Sequence, residues 1–329
     1  MGRVPDRRVR EVSGGEVTPL TDTTDATGGI PRSRFGRAYL RYAVEPWMYL
    51  SPAVLLICFV MLIPLAIGIS YSVQSINLLR PFQTGFVGLE NFADLGDDNK
   101  FWLALSNTFW WTFGSVTLQF LLGLGLALLL SRPFHGKRVV QALVFLPWAV
   151  PTFLIALTWS WLLNPVIGPL PHWWAAMGLL EEPYNILSNP DTAMWGPIMA
   201  NVWYGVPFFA ITLLAALQSI PHELYEAAEI DGASRWQSFT KITLPFLGPM
   251  IAITVMLRAI WIANFADLIF VMTGGGPANS TQILSTYIFT TAFRKLDFGY
   301  ASAIAVALLG VLLVYAAILL FIRAKLVKT

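Results

Sequence analysis

Charge is scarce in this chain: Asp, Glu, Lys and Arg make up 12% of 329 residues, against 56% hydrophobic. A soluble domain of that length needs a larger polar surface, so a water-soluble globule is excluded and the bilayer is the expected solvent. Cysteine is nearly absent. Cys58, the only one, lies inside an apolar run, which excludes an internal disulfide and a cysteine metal cluster. The three histidines, His135, His172 and His222, fall in different loops, so no bound metal is expected. The phosphate-cradling pattern G-x-x-x-x-G-K-[ST] does not occur, and TGGGPANST at 273–281 lacks the lysine that phosphates need. That segment is expected to be a flexible turn. Segments alternating between polar and apolar residues are also missing, which removes a transmembrane β-barrel. The spans hold no carboxylate pair, histidine cluster or nucleophile with a base, so no catalytic residue and no enzyme is expected.

Long apolar runs are abundant. A helix crosses the hydrocarbon core in about 20 residues, and runs of that length place spans at about 47–72, 105–131, 139–163, 194–219, 246–272 and 299–323. The expectation is an all-α membrane protein with six transmembrane helices. Lys and Arg concentrate on one side. The tail, the loops after the second and fourth spans, and the C-terminal end hold sixteen, whereas the opposite side holds Arg80, Lys100, Arg294 and Lys295. The excess marks the cytoplasmic side, with both termini inside. Residues 1–46 then form a cytoplasmic tail, expected to be disordered, without the apolar stretch of a cleaved signal. Residues 47–323 form the transmembrane domain, and 324–329 a short cytoplasmic tail. Gly123 and Ala127 have the spacing of small residues at a close helix contact.

One inner loop departs from the surrounding hydrophobicity: YEAAEIDGASRWQSFTKITLP, residues 225–245. Pro221 suits a first helical turn, and Glu223, Glu226 and Glu229 recur near the positive helix N-terminus. Leu224, Ala227 and Ala228 make a narrow apolar stripe. Gly232 permits a turn, expected at positive φ. Ser234 and Gln237 have capping-box spacing for a second short helix, bearing Trp236, Phe239 and Ile242. Glutamates on the polar face argue against a helix lying on an anionic leaflet. The run Glu226-Ala227-Ala228, three residues, Gly232, nine residues, Ile242, one residue, Leu244-Pro245 resembles the EAA loop of ATP-binding-cassette importer permeases, and Asp231 lies within it. The resemblance implies a type I, maltose-permease-like fold, with loop 220–245 docking into a cleft on a separate ATPase. Glu226 is then expected to meet a basic group there.

The stretches DLIFVMTGGGPANSTQILSTYIF from Asp267 and FGYASAIAVAL from Phe298 are similar to carbohydrate-type permeases of that superfamily. The similarity covers about residues 47–323. It implies a bacterial inner-membrane heteromer: a second homologous permease, two ATPase subunits that hold ATP and Mg, and an extracytoplasmic solute-binding protein. This chain itself would bind no cofactor, and its other surroundings would be membrane lipid, with no nucleic acid. The implied cargo is a sugar, oligosaccharide or polyol, with glycerol phosphate as an alternative. An autonomous secondary transporter is the competing class, but it would need coupling-ion ligands and usually an internal repeat.

Sugars are held by aromatic faces and hydrogen-bonding edges. Candidates for the solute route are therefore Asn201, Trp203 and Tyr204 beside Pro207 in span four, Asn264 and Asp267 in span five, Gln119 in span two and Trp148 in span three. The bland alternatives are aromatic belts and interhelical amide bridges. Arg258, a charge in mid-span, is costly there and is expected in a structural or gating ion pair, with the second permease as one source of the counter-charge.

Overall fold

A computed structural model describes residues 46–326 of the chain, with side chains to residue 321. The expected disordered tail lies outside the described residues, apart from Pro46. Two compact units meet at Leu62–Ile63. The helix α1, Pro46–Tyr71, carries this boundary and a π-helical turn at Cys58–Leu62. Up to Leu62 its side chains are almost all exposed and apolar, as a lipid-facing helix requires.

From Ile63 onward the chain builds a helical bundle. A small antiparallel hairpin, β1 Gln74–Ser75 and β2 Gly85–Phe86, follows α1, and α2 spans Glu90–Asp97. Then comes α3, Asn99–Ser131, whose N-cap Asp98 accepts from the Lys100 amide at 2.9 Å. The cap explains why this helix starts earlier than the apolar run that predicts it. Helix α4, Lys137–Ala149, and α5, Thr152–Leu162, follow. After α6, Pro169–Ala176, the buried helix α7 runs over Trp195–Gln218.

The third expected span is not one straight helix, because α4 and α5 meet at 96°. Pro151 has no amide proton and drives Val150 into extended backbone, φ −83° and ψ 132°, so the helix cannot continue. Among the described residues, five helices are long and apolar enough to cross a membrane, and six if the bent pair counts as one span.

Past α7 come α8, His222–Ile230, and α9, Arg235–Ser238, which runs through a π turn at Phe239–Thr243 into α10, Leu244–Ala263. The expected second short helix is thus the start of a span. Helix α11, Asp267–Met272, completes this run after a break at Asn264–Ala266; α12, Leu284–Phe293, and α13, Phe298–Leu326, end the chain. The C-terminal tail expected at 324–329 begins as the last turn of α13.

The core lies between α3 and α7, around Trp111, Phe209 and Leu213, all fully buried. Gly123 permits the approach. A β-carbon there would overlap Phe209 and lie 3.2 Å from the Val206 carbonyl oxygen. Ala127 is fully buried one turn on, in keeping with the small-residue spacing. The glycine-rich segment at 273–281 is a series of turns held by hydrogen bonds. Thr281 is fully buried and donates to the Gly276 carbonyl at 2.7 Å, and Asn107 Nδ2 donates to the Asn279 and Gln282 carbonyls at 3.1 and 3.0 Å.

Candidate coupling loop and buried polar cluster

The loop between α7 and α10 forms a helical lever with a glycine joint. Pro221, at φ −58°, starts α8, and no residue of that helix is buried. Its glutamates and its Leu224, Ala227 and Ala228 stripe therefore have little cover within the chain. Asp231 closes the helix, and Gly232 follows at φ +74°, as its residue type predicts. The Ala233 amide then donates to the Ala228 carbonyl at 2.8 Å, which fixes the turn. Ser234 and Gln237 form the expected capping box: the Ser234 amide donates to Gln237 Oε1 at 2.7 Å, and the Gln237 amide to Ser234 Oγ at 3.3 Å. Ile242 is half-buried, Leu244 is exposed, and Pro245 sits in the first turn of α10, directly after the π turn.

Two features of this loop escaped the sequence. Glu226 meets His222 Nδ1 at 3.0 Å, an exposed pair one turn apart, so within the chain its partner is a histidine. Tyr225 and Thr243 share a hydroxyl hydrogen bond of 2.9 Å. That bond ties α8 to the π turn from which α10 rises, so displacement of α8 bears directly on a span. Eighteen residues separate the two, and neither has a sequence pattern that links them.

Within the bundle the structure brings together four of the singled-out residues, three of them joined by hydrogen bonds. Arg258 Nε donates to Gln119 Oε1 at 2.7 Å, and Gln119 Nε2 donates to the Asn201 carbonyl at 2.9 Å. Helices α10, α3 and α7 are thereby joined by one polar chain. Arg258 is 1% exposed, and Gln119 and Asn201 are fully buried. Within the chain Arg258 has no carboxylate partner: among the described residues the one salt bridge is His222–Glu226, and a counter-charge from the second permease lies outside this chain. Aromatic faces surround the guanidinium within the chain. The guanidinium carbon lies 5.5, 5.5 and 5.4 Å from the ring centres of Tyr204, Phe208 and Trp261. Each such contact contributes about 2 kcal/mol or more when desolvated. Gly205 makes room, since a β-carbon there would overlap Gln119 and Arg258 Nη2. Arg258 Nη2, Ser115 Oγ and both amide atoms of Asn201 have no protein hydrogen-bond partner.

Of the other candidates, Tyr204 belongs to this cluster and the rest lie outside it. Tyr204 is buried and stacks on Phe265 at 6.0 Å, whereas Trp203 is 42% exposed and meets Trp159 at 6.4 Å. Asn201 and Tyr204 thus share the buried face, and Trp203 points away from it. Trp148, 40% exposed, meets Phe208 edge-on at 6.1 Å. Asn264 and Asp267 do not lie on one continuous helix, because α10 ends at Ala263 and α11 begins at Asp267. Asn264 Nδ2 instead donates to the Ile260 carbonyl at 2.8 Å, and Asp267 opens α11. Trp111 Nε1 donates to the Ile262 carbonyl at 2.9 Å, satisfying an acceptor near the broken end.

Kinked, span-length helices with a buried polar chain between them and an exposed helical loop at one end define a membrane-embedded helical bundle of the permease kind. Comparison with known proteins makes this specific. Residues 119–328 match the family described as binding-protein-dependent transport system inner membrane component, and the chain belongs to that family. It is 40% identical over 221 residues to the trehalose/maltose transport system permease protein MalF of Thermococcus litoralis, covering 67% of this chain and 74% of that one. It is 33% identical over 279 residues to the sulfoquinovosyl glycerol transport system permease protein SmoG of Agrobacterium fabrum, covering 84% and 90%. Among solved structures, a chain of a bacterial ABC transporter involved in the import of the acidic polysaccharide alginate superposes with a TM-score of 0.74 at 26% identity, over 89% of this chain and 98% of that chain. The protein is therefore a multi-pass ABC importer permease and not an enzyme.

Proposed function

We propose that this permease forms half of the translocation pathway for a sugar, oligosaccharide or polyol delivered by an extracytoplasmic solute-binding protein. A second homologous permease forms the other half, and two ATPase subunits, which hold ATP and Mg, drive the cycle from the cytoplasm. The loop 220–245 is the point of drive, with both termini on the same inner side. The observation that carries this reading is the exposed lever α8, jointed at Gly232 and tied by Tyr225–Thr243 to the base of α10. Glu226, Ala227, Ala228 and Asp231 present the docking face, while Ile242, Leu244 and Pro245 set the start of the span. Supporting the cargo class, the similar permeases carry carbohydrate names, and the exposed Trp148 and Trp203 offer rings against which sugar C–H faces pack.

The experiment is uptake into vesicles that contain the permeases and ATPases, with the binding protein outside. Uptake should require internal ATP and ignore uncouplers, and a crosslinker at residue 226 should capture an ATPase subunit. Modification of residues 221–242 by an impermeant reagent from the binding-protein side would refute the assignment.

A further inference from the structure

The hairpin between α1 and α2 is apolar where water would favour polar residues. Phe82 is fully exposed, and Phe86, Leu89, Leu79 and Leu78 are 80, 72, 68 and 58% exposed. Such clustering is rare on a surface that faces only water. The segment is nevertheless ordered by its own hydrogen bonds: the Val87 amide donates to the Val73 carbonyl at 2.9 Å, the Gln83 amide to the Arg80 carbonyl at 3.0 Å, and the Leu79 amide to Asn77 Oδ1 at 2.9 Å. Its side chains point outward from a fixed frame.

The hairpin's depth follows from what holds its base. The Phe298 amide donates to the Ile76 carbonyl at 2.8 Å, the Leu78 amide to the Leu296 carbonyl at 2.9 Å, and Asn77 Nδ2 to Asp297 Oδ2 at 3.1 Å. On the other side, Asn91 Nδ2 donates to the Ser72 carbonyl at 2.9 Å. The base is thus pinned where α1 ends and α13 begins, at the edge of the hydrocarbon core. From Leu78 the chain reaches Phe82 within about 13 Å even if fully extended. The headgroup layer on each side is about 5–8 Å deep, so the tip lies within reach of it.

We infer that the hairpin 74–89 is an interfacial anchor: Leu79, Phe82 and Phe86 seat at the boundary of headgroups and acyl chains, and Arg80 meets lipid phosphate. Arg80 is the one charged residue from Ser72 to Leu89. Among the described residues its guanidinium makes no ion pair. A cation beside aromatic and aliphatic side chains at span ends is the pattern that interfacial lipid accommodates. The surface is continuous along the chain with the lipid-exposed side chains of α1, such as Ile67 and Ile69. This inference needs only that the chain spans a bilayer, and is independent of its cargo or motor.

The single native cysteine makes the test direct. In a Cys58→Ser background, nitroxides are placed at Phe82→Cys and, separately, Phe86→Cys, with Ile67→Cys as the acyl-chain reference and Glu181→Cys as the water reference. The assembled transporter is reconstituted in phosphatidylcholine–phosphatidylglycerol nanodiscs, and collisions with oxygen and with a water-soluble nickel chelate are measured. Labels at 82 and 86 should show a ratio of oxygen to chelate collisions several-fold above that at 181 and below that at 67. Chelate access equal to that at 181 would overturn the inference by placing the hairpin in water. Exclusion of both oxygen and chelate would overturn it by showing a protein partner over the surface. Either label position alone suffices if the other variant fails to assemble.

Discussion

Gly205→Ala tests the buried cluster most sharply, because one methyl group must enter space already filled by Gln119 and Arg258. In a helix the change by itself favours folding by roughly 0.5–1 kcal/mol. Against that, an extra carbon in a filled core costs about 1–3 kcal/mol. Neither neighbour is a free end that can swing away, since Arg258 is bonded to Gln119, which is bonded to the Asn201 carbonyl. Displacing them breaks a hydrogen bond to a charged group, worth about 1.5–3 kcal/mol. The net loss is about 2–5 kcal/mol, or one and a half to nearly four orders of magnitude in the folding equilibrium. SDS-driven unfolding of the purified permease in mixed micelles, followed by tryptophan fluorescence, reads the loss directly. Gly125→Ala is the matched control, as no heavy atom lies within 4 Å of its added carbon. Adding Gln119→Ala to Gly205→Ala should cost less than its effect in the parent, because the two share one contact. If Gly205→Ala unfolds at the same SDS fraction as Gly125→Ala, the packing assigned to this cluster is wrong.

Two further outcomes follow. At Gly232 the added carbon meets nothing within 4 Å, so the only penalty is the backbone at φ +74°. Gly232→Asn should retain ATP-driven uptake, whereas Gly232→Val, which tolerates that conformation poorly, should lose uptake while ATP hydrolysis persists; equal uptake by both would contradict a joint that needs positive φ. Asp98 Oδ2 accepts hydrogen bonds from the Tyr287 and Tyr300 hydroxyls at 2.6 and 2.8 Å. Burial raises the pKa of its carboxyl, but the bonds from Tyr287, Tyr300 and the Lys100 and Phe101 amides outweigh it, and the net shift is downward from 3.8. A depressed carboxylate contributes its stability above the ordinary value and loses it as pH falls through the folded-state value. Acid unfolding of the protein should thus steepen below pH 3.8, and Asp98→Asn should flatten that limb; an unchanged acid limb in the variant would contradict the assignment.

Much of this molecule is determined by sequence alone, because the bilayer imposes simple rules. Apolar runs of span length must be helical to satisfy their backbone, which sets the all-α class and the approximate spans. The loop 220–245 was equally legible, since capping boxes, glycine turns and helix starts are local: Gly232, Ser234 and Pro221 act on neighbours within a few residues. Tertiary structure decided the rest. The polar chain of Arg258, Gln119 and Asn201 joins residues far apart in sequence, and the pattern of any one helix cannot say which buried groups will face each other. Arg258 drew an expected ion pair from the cost of burying a charge, and only the folded chain shows that an amide and aromatic rings surround it, with Gly205 leaving the room. The broken third span and the break between Asn264 and Asp267 show the same division: Pro151 interrupts the first by a local rule, although the apolar run by itself reads as one span, and only packing around Trp111 and Phe265 shows how the second is held. Local rules follow from a residue and its chain neighbours, whereas contacts between helices depend on how whole surfaces interlock.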